Sequence, residues 1–467
     1  MLENEQSQST TEDGIQPGDA ELYGVPASLV EDVATALKAG ELDAIRKTVT
    51  DLHAADQADL MEQLTSRNLR RFIDAFLEDL DPEALSELEE TVRDEVIDLL
   101  EPQEIAAAVA EMDTDDAVYV IEDLDESERR EILDAVPDEE RFELEAGLSY
   151  PEDSAGRLMQ QDFISVPTYW TVGQTIDHMR EDEDLPEDFY EIFVVDAMMK
   201  PVGTIPLNRI LRTKRDVDIA EIMEHEPILV PANMDQEEVA FLVQQYDLVS
   251  ALVVDDSNRL IGSIMIDDIV DVIQEEAEED IMLLGGVGDG GIHESTFQTT
   301  RDRFVWLFAN LGTAILASIV ISQFGGTIEQ MVALAVLMPI VASMGGNAGT
   351  QTLTIAVRAL GTKELTSSNA LRTISREAVV GVINGVLFAV IMGVVAALWF
   401  DIQMLGFVIA AAMIINMIVA ALAGILIPLG LHKAGIDPAV ASSVFVTTIT
   451  DVVGFFAFLS LAAKYLV

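Results

Sequence analysis

The sequence predicts a multidomain protein: an α-helical superhelix, two tandem α/β copies, a helical connector and a membrane domain of five helices. Three observations support this class. Short helical phrases recur before residue 150, one α/β pattern occurs twice, and five long apolar runs follow Phe304. The predicted segments are 1–25 (a disordered polar tail), 26–150 (superhelix), 151–212 and 213–267 (the two α/β copies), 268–303 (connector and linker) and 304–467 (membrane domain).

The charge of the chain divides at the same point as its hydropathy. The formal net charge is −57, yet residues 304–467 contain six basic and six acidic side chains, so residues 1–303 carry all of it. This acidity argues against a nucleic-acid partner, because phosphate binding needs clustered Lys and Arg. Two compatible interpretations stay open: a halophile-like surface that remains soluble in high salt, and a sensor of multivalent cations. The chain has no Cys, which excludes thiolate metal sites.

Residues 28–147 consist of short helical phrases at a spacing of roughly 12 residues, which is typical of an α-superhelix. Pro82 and Pro102 suit first helical turns, and Asp113 and Asp125 suit N-caps. The many acids of these phrases have the pattern of solvated helix faces, and none of them indicates catalysis.

Residues 155–273 contain an internal repeat. The phrases LMQQDFISVP and YEIFVVDAMMKPVGTIPLNRIL return as IMEHEPILVP and LVSALVVDDSNRLIGSIMIDDIV, so that Met159 matches Met223 and Gly203 matches Gly262. Each copy predicts a short strand, a helix, two apolar strands joined by a turn, and a second helix. Each copy resembles a CBS domain, and the resemblance implies adenosine-nucleotide binding (ATP or a relative) and pairing between chains. A purely mechanical regulatory module is the alternative.

An acid-rich helical connector follows at 268–284, and the glycine-rich segment 285–291 ends it. The apolar runs beyond it are long enough to cross a bilayer, which takes about 20 residues of helix. The predicted spans are 304–323, 330–357, 378–399, 402–431 and 438–463.

All Lys and Arg residues near these spans, except Lys464, fall on one side of the predicted membrane domain. Arg301 and Arg303 precede the first span, four basic residues occupy the predicted loop 358–377, and Lys433 lies between the last two spans. The side rich in Lys and Arg is the cytoplasmic one. The sequence therefore predicts a multi-pass plasma-membrane protein with a cytoplasmic N-terminal module and an outward-facing C-terminus.

The last span carries a single acid, Asp451, near its middle. A charge there costs roughly 2.5–3.5 kcal/mol on insertion scales, so it needs a partner, a water-filled cavity or a bound cation. Ser443 and Thr447 precede it at spacings of four residues, which places all three on one helix face. The stripe predicts a cation pathway, while hydrogen bonding between helices is the alternative role of the hydroxyls.

A second polar stripe lies in PIVASMGGNAGTQT of the second span, where Gly346 and its neighbours permit close helix contact or local unwinding. All candidate ligands are oxygens, which favours a hard cation. One carboxylate per chain, doubled by a two-fold axis, suits a hydrated Mg²⁺. Mn²⁺, Co²⁺ and Ca²⁺ remain open. The stripe consists of Ser343, Asn347, Thr350, Gln351 and Thr354.

The phrases PIVASMGGNAGTQTLTIAVRAL and GIDPAVASSVFVTTITDVVGFF, together with the domain order, resemble the MgtE family of magnesium transporters. The resemblance covers roughly residues 28–467 and implies a homodimer in the lipid bilayer, with an Mg²⁺ pore at the dimer axis. By that resemblance Asp451 holds the hydrated ion, and Asn347 and Ser443 line the pore. Ser443 stands where the family can carry Asn.

The resemblance also implies a gate, in which cytosolic Mg²⁺ bridges acids of the helical domain, the second CBS copy and the connector, or plug helix. Without cation such acids repel one another, and with cation they are held together. One position expected to be acidic in the helical domain is Tyr119. The acids that match are Asp115, Asp235, Glu237, Asp247, Asp268, Asp271, Glu276 and Glu279.

Two other functions stay open beside Mg²⁺ transport. One is transport of a broader set of divalent cations, including Co²⁺ and Mn²⁺. The other is a membrane-anchored sensor that signals through the CBS pair without transport. An enzyme is not expected, because no nucleophile–base pair or metal-hydrolase motif occurs, and GGVGDGG lacks the Lys and Ser/Thr of a phosphate-binding loop.

Overall fold

The computed structural model describes residues 24–182, 185–186, 189–287, 296–366, 368–440 and 442–467. The chain divides into two compact units between Val270 and Asp271. Most of the predicted disordered tail, residues 1–23, lies outside the described residues, as do residues 288–291 of the glycine-rich segment. Val25, the last residue assigned to the tail, is buried in the core of the helical domain.

Among the described residues, the first unit begins with nine short helices and two 3-10 turns, so the prediction of short repeated helices is confirmed. Glu101 and Glu104 form a capping box ahead of Pro102, as the sequence pattern indicates. Asp125 lies at an N-cap position, but its side chain makes no capping hydrogen bond. The helices are α1 Ala27–Ala39, α2 Asp43–Thr50, α3 Ala54–Glu62, α4 Ser66–Phe76, α5 Glu90–Ile97, α6 Pro102–Val109, α7 Thr114–Ile121, α8 Glu126–Leu133 and α9 Asp138–Leu148, with turns at Leu77–Asp79 and Pro82–Leu85.

The CBS pair follows in the same unit and has the predicted order of elements. The first sheet has the order β1-β2-β3-β4 and the second β5-β6-β7. In each copy the first strand is parallel to the second, and the second is antiparallel to the third. The elements are β1 Ser165–Pro167, α10 Val172–Glu181, β2 Glu191–Val195, β3 Pro201–Pro206, α11 Leu207–Arg212, α12 Ile219–Ile222, β4 Glu224–His225, β5 Leu229–Pro231, α13 Gln236–Tyr246, β6 Ser250–Val254 and β7 Leu260–Met265.

The two CBS copies exchange chain at their sheet edges. The short strand β4, which opens the second copy, pairs with β3 of the first. In return Gln160, which opens the first copy, pairs with Ser263 of β7. The matched glycines allow both crossings, because a Cβ added at Gly262 would lie 2.7 Å from the Gln160 carbonyl oxygen, and one at Gly203 would strike the equivalent carbonyl of Glu224.

In the described part of the remaining chain, five helices are long and apolar enough to cross a membrane, which agrees with the predicted number of spans. The third begins eight residues earlier than predicted, so Arg372 and Arg376 extend the helix and do not belong to a loop. Long basic side chains can do this at a membrane boundary because their charged ends reach water. The helices are α14 Ile266–Gly285, α15 Thr296–Ser322, the short α16 Gly325–Gln330, α17 Ala333–Gly361, α18 Ala370–Phe400, α19 Gln403–Lys433 and α20 Ser442–Tyr465.

Helix α19 is the central element of the membrane domain. More than half of the residues in its most apolar stretch are buried inside the protein, whereas only 6% are buried in the corresponding stretch of the first span. It packs on α18 through small residues, and a Cβ added at Gly393 would lie 3.1 Å from the carbonyl oxygen of Gly406. Helices α17 and α20 also pack against α19 and against each other. The two helices with polar stripes therefore share one rigid support.

Candidate functional site

The polar stripe of α20 contains the acid that the sequence singles out. Ser443, Thr447 and Asp451 are all partly exposed. Thr447 Oγ1 donates to the Ser443 carbonyl oxygen at 2.9 Å, so its proton is used within the helix and its lone pairs remain available to a ligand. Among the described residues, Asp451 makes neither an ion pair nor a hydrogen bond.

The glycine run of α17 lies directly against this stripe. A Cβ added at Gly346 would lie 4.0 Å from Thr447 Cγ2, and one at Gly349 would lie 2.5 Å from Val446 Cγ1. The absence of side chains thus lets α17 approach α20 closely. The segments GGNAGTQ and TTITD, which belong to the two phrases that carry the family resemblance, are neighbours in the fold.

Asn347 lies on another side of α17. It is exposed and lines an open cleft of about 450 Å³ between α17, α18 and α19. The described lining of this cleft does not include Asp451, so one chain does not bring Asn347 and Asp451 into a single cavity. The other polar side chains of the cleft are Thr350, Gln351, Thr354 and Asn384.

Two of the predicted sensor acids meet within the first unit. Asp115 of α7 is buried, and its Oδ1 atom has no hydrogen-bond partner among the described residues. Burial, and then the charge of Asp268, raise the pKa of Asp115 well above its ordinary range. Burial likewise raises the pKa of Asp268 to about 7, although the Met265 N–H donates to its Oδ2 at 3.0 Å. Two such carboxyl groups can share either a proton or a cation.

A further acid, Asp116, borders this pair and was not among the predicted residues. Burial raises the pKa of Asp116 to about 6, with Asp113 and Glu83 adding to the effect. The sequence could not single it out, since the run DTDD offers three similar acids. No group of three or more His, Asp or Glu side chains is arranged to hold a metal ion in the part of the chain described. The Asp115–Asp268 pair by itself supplies two oxygen donors.

The family resemblance implies an acid at the position of Tyr119. The Tyr119 side chain instead lies beside the positive charge of Arg93. The guanidinium carbon of Arg93 is 4.1 Å from the centre of the Tyr119 ring. Arg93 is almost completely buried, and its NH2 group donates to Asp123 Oδ2 at 3.1 Å. Tyr119 of α7 therefore takes part in a cation–π contact with Arg93, and Arg93 also forms an ion pair with Asp123.

The predicted acids of the second CBS copy occupy opposite ends of α13. Asp235 is the N-cap and accepts a hydrogen bond from the Glu237 N–H at 3.0 Å, so it has a structural role as well. Asp247 is the C-cap, with a left-handed backbone at φ 53°. An 11-residue helix is about 16 Å long, so Asp235 and Asp247 of one chain cannot contact the same ion.

The second unit holds the other predicted connector acids, Asp271, Glu276 and Glu279, on the later turns of α14. Their neighbour Asp280 was not predicted to have a role. Burial, then the charges of Asp437 and Glu276, raise the pKa of Asp280 to about 6. Asp437 precedes α20 and is 157 positions away in sequence, so only the fold could reveal the pair.

The end of α14 also packs on the two striped helices. Leu283 and Leu284 contact the cluster formed by Leu353 and Val357 of α17 with Val446 of α20. The connector is thus in contact with the end of the α17–α20 pair, within the second unit.

The CBS pair contains an open cleft of about 720 Å³ between its two copies. Its lining includes the exposed aromatic residues Tyr190 and Tyr246 together with Leu211 and Asp247. Apolar and aromatic walls with a few polar groups are typical of small-molecule sites.

Comparison with known proteins identifies the class of this chain. Residues 338–461 match the family described as "Divalent cation transporter", residues 52–153 the "MgtE intracellular N domain", and residues 219–275 the "CBS domain". Together with the helical domain, the CBS module and the five helices that are long and apolar enough to span a membrane in the described part of the chain, these matches define the class as a divalent-cation transporter of the membrane.

The relatives specify the family. A magnesium transporter MgtE of Enterococcus faecalis is 34% identical over 70% of this chain and 72% of its own length. One of Bacillus subtilis is 27% identical over 94% of this chain and 97% of its own. The chain belongs to the MgtE family of magnesium transporters. A crystal structure of the cytosolic domain of the Mg²⁺ channel MgtE in complex with ATP is 27% identical over 52% of this chain and 99% of that one, with a TM-score of 0.48.

Proposed function

We propose that Mg²⁺ crosses the membrane along the polar faces of α17 and α20, with Asp451 as the carboxylate that holds the ion. The observation that carries the proposal is that Asp451, inside an apolar span, has no ion pair or hydrogen bond with any residue that the structure describes. A carboxylate in that position is costly unless it faces water or a cation. The backbone-bonded hydroxyl of Thr447, the Ser443 side chain and the exposed backbone at Gly346 add oxygen atoms along the same path.

A second copy of the chain completes this pathway in the proposal. Asn347, Thr350, Gln351 and Thr354 are exposed on a spanning helix, where contact with lipid would leave their polar groups unsatisfied. A two-fold axis beside α17 and α20 would enclose these side chains and place two Asp451 carboxylates around one ion. Mg²⁺ gives up its water reluctantly and binds one or two carboxylates while it keeps several waters. A pair of Asp451 side chains suits this mode.

The soluble part is proposed to be cytoplasmic and to close the pathway when Mg²⁺ is abundant. Arg301, Arg303 and Lys433 support this orientation in the plasma membrane, which leaves the C-terminus outside. The buried Asp115–Asp268 pair supports the regulatory role, because two carboxyl groups held together at neutral pH are a receptor for a divalent cation.

The same role is proposed for the remaining acids of the gate. Asp280 and Asp437 join the predicted acids, and the contact of Leu284 with the α17–α20 pair gives the connector a direct route to the pore helices. The predicted acids outside the buried pair are Asp235, Glu237, Asp247, Asp271, Glu276 and Glu279.

The test of the transport proposal is Mg²⁺ uptake into vesicles that contain the purified full-length chain. Asp451→Asn should abolish uptake, because it removes the charge and keeps the shape. Asp401→Asn is the matched control, since Asp401 is an exposed acid at the end of α18 and should leave uptake unchanged. Normal uptake by Asp451→Asn would refute the role of Asp451.

Two other hypotheses about the function predict different results in the same uptake assay. A broader transporter would show Co²⁺ and Mn²⁺ competing with Mg²⁺ at comparable concentrations. A CBS-type sensor without transport would show no Mg²⁺ uptake and no effect of Asp451.

Nucleotide binding is a second proposal for the CBS pair, and the cleft of about 720 Å³ between the copies favours it. An adenine ring would fit against Tyr190, Tyr246 and Leu211. Calorimetric titration of the full-length protein with ATP should show binding that Leu211→Asp abolishes. A purely mechanical module would show no heat of binding.

A further inference from the structure

One buried amide lies behind the proposed ion pathway. Asn416, in the middle of α19, is 1% exposed. Its Nδ2 atom donates to the backbone carbonyl oxygen of Val341 in α17 at 2.8 Å. The opposite orientation of the amide would set its oxygen against that carbonyl, so the hydrogen bond fixes which way the group points.

The side chain fills a notch between two glycines of different helices. A Cβ added at Gly345 of α17 would overlap the Asn416 amide, and one added at Gly454 of α20 would lie 2.8 Å from its Nδ2. Any larger residue at either glycine would therefore displace α17 or α20 from α19. Asn416 is thus the point at which three helices meet.

The notch is adjacent to the residues that line the pathway. Gly345 directly precedes Gly346 and lies two residues before Asn347, which points roughly 200° away around the helix. Gly454 follows Asp451 by three residues, which is less than one helical turn. The position of the Asn416 amide consequently sets how far the Asn347 turn and the Asp451 turn stand from α19 and from each other.

The amide is a poor choice if stability alone is considered. Its Oδ1 atom is buried and has no donor among the described residues. An unpaired buried acceptor destabilises a fold, and a leucine of similar size would avoid that cost. Asn is also isolated here, within the apolar stretch FVIAAAMIINMIVAALAG.

We propose that Asn416 is a positioning residue for ion passage. Its wedge between Gly345 and Gly454 and its hydrogen bond to Val341 hold the Asn347 and Asp451 turns at the separation that selects Mg²⁺. The inference rests on the proposed function of Asp451. It adds that selectivity depends on a residue that touches no ion.

The experiment measures uptake of Mg²⁺ and of Ca²⁺ by the full-length chain in vesicles. Asn416→Ala and Asn416→Leu should both lower the Mg²⁺-over-Ca²⁺ preference, since groups that support a metal ligand typically contribute roughly 10–100-fold. Asn416→Leu keeps the side-chain volume and removes the hydrogen bond, whereas Asn416→Ala removes both. Comparing the two variants therefore separates the contribution of the wedge from that of the hydrogen bond. Met413→Ala is the matched control, because it empties buried space one turn earlier on α19, while the atoms nearest to Gly345 and Gly454 all belong to Asn416.

A second variant approaches the same contact from α20. Gly454→Ala should shift the preference as Asn416→Ala does, because its Cβ pushes against the amide. Gly385→Ala is the control, since its Cβ would lie 3.2 Å from Ile414 at the α18–α19 contact. Gly454→Ala keeps the test decisive if Asn416→Ala fails to fold.

The outcomes separate the two proposals. Loss of uptake in Asp451→Asn with unchanged preference in the Asn416 and Gly454 variants overturns this inference alone. An equal change of preference in Met413→Ala also overturns it, since packing in general would then be responsible. Normal uptake in Asp451→Asn would overturn the proposed function itself.

Discussion

The carboxyl pair of the buried Asp115 and the partly buried Asp268 should make the first unit less stable when both groups ionise and no cation is present. The pKa of Asp268 rises from an ordinary 3.8 to about 7, chiefly through burial. One pKa unit corresponds to about 1.36 kcal/mol, so ionising Asp268 in place costs about 4 kcal/mol. Replacing this acid by Asn should recover an amount of that order at alkaline pH.

The pH dependence follows from the direction of the shift. Between about pH 4 and pH 7 the unfolded chain has ionised this group while the folded chain keeps its proton. The free energy of unfolding should therefore fall as pH rises through that window and level off above it. The pKa of Asp115 is raised in the same direction, so it adds to the same trend. A divalent cation bound between the two carboxylates should reverse the loss.

Hydrogen exchange of the full-length protein is the suitable assay, because it reports opening of α7 and of the first turns of α14 separately. Protection in the wild type should be high at about pH 5 and lower at about pH 8, and Mg²⁺ should restore it. Asp268→Asn should lose less protection as pH rises and respond less to Mg²⁺, because only Asp115 of the pair can then ionise. Asp267→Asn is the matched control, since Asp267 is an exposed acid in the same turn.

Two results would refute this reasoning. One is an Asp268→Asn variant that loses protection with rising pH as steeply as the wild type. The other is an equal effect of Asp267→Asn, which would assign the change to general surface charge.

Three further predictions concern contacts described above. Gly349→Ala should lower the stability of the membrane domain by about 1–3 kcal/mol, because its Cβ would overlap Val446; thermal unfolding in detergent would measure this, and an unchanged midpoint would contradict the close approach of α17 and α20. Arg93→Ala should destabilise the helical domain by about 2–5 kcal/mol, since it empties the buried site of a large side chain and removes the cation that contacts the Tyr119 ring; Arg93→Lys keeps the charge and most of the stem and should lose less, and equal losses in urea unfolding would argue against a role of the charge. Leu284→Ala should weaken the contact of the connector with the pore helices, so uptake should persist at internal Mg²⁺ concentrations that stop the wild type; closure at the wild-type concentration would show that this contact does not transmit the signal.

Sequence reasoning identified features that depend on periodicity or on a single anomalous residue. The CBS repeat is visible because Gly203 and Gly262 serve the same backbone crossing, and the five spans are visible because burial in lipid requires continuous apolar runs. Asp451 was evident since an acid in such a run is rare. The closeness of GGNAGTQ to TTITD agrees with the glycines and hydroxyls of these segments, which are typical of helix contacts in membranes.

The remaining features depend on tertiary contacts that no local pattern encodes. Asp280 and Asp437 are neighbours only in the fold, and the burial that raises the pKa of Asp116 cannot be inferred from the run DTDD. Asn416 did leave a signal, as a lone amide in an apolar span, but its two glycine contacts lie on other helices. The early start of α18 was missed because Arg372 and Arg376 resemble loop residues, although they extend a helix beyond the apolar core.

The exchange of edge segments between the CBS copies has a consequence for how this region can come apart. Since β4 belongs by sequence to the second copy and by pairing to the first, neither copy retains a complete sheet when expressed alone. Gln160 and Ser263 impose the same condition in reverse. A chain cut between the copies would expose two unpaired strand edges, which are sites of aggregation. The pair should therefore unfold in a single cooperative transition, and a strain applied to one copy must be felt by both.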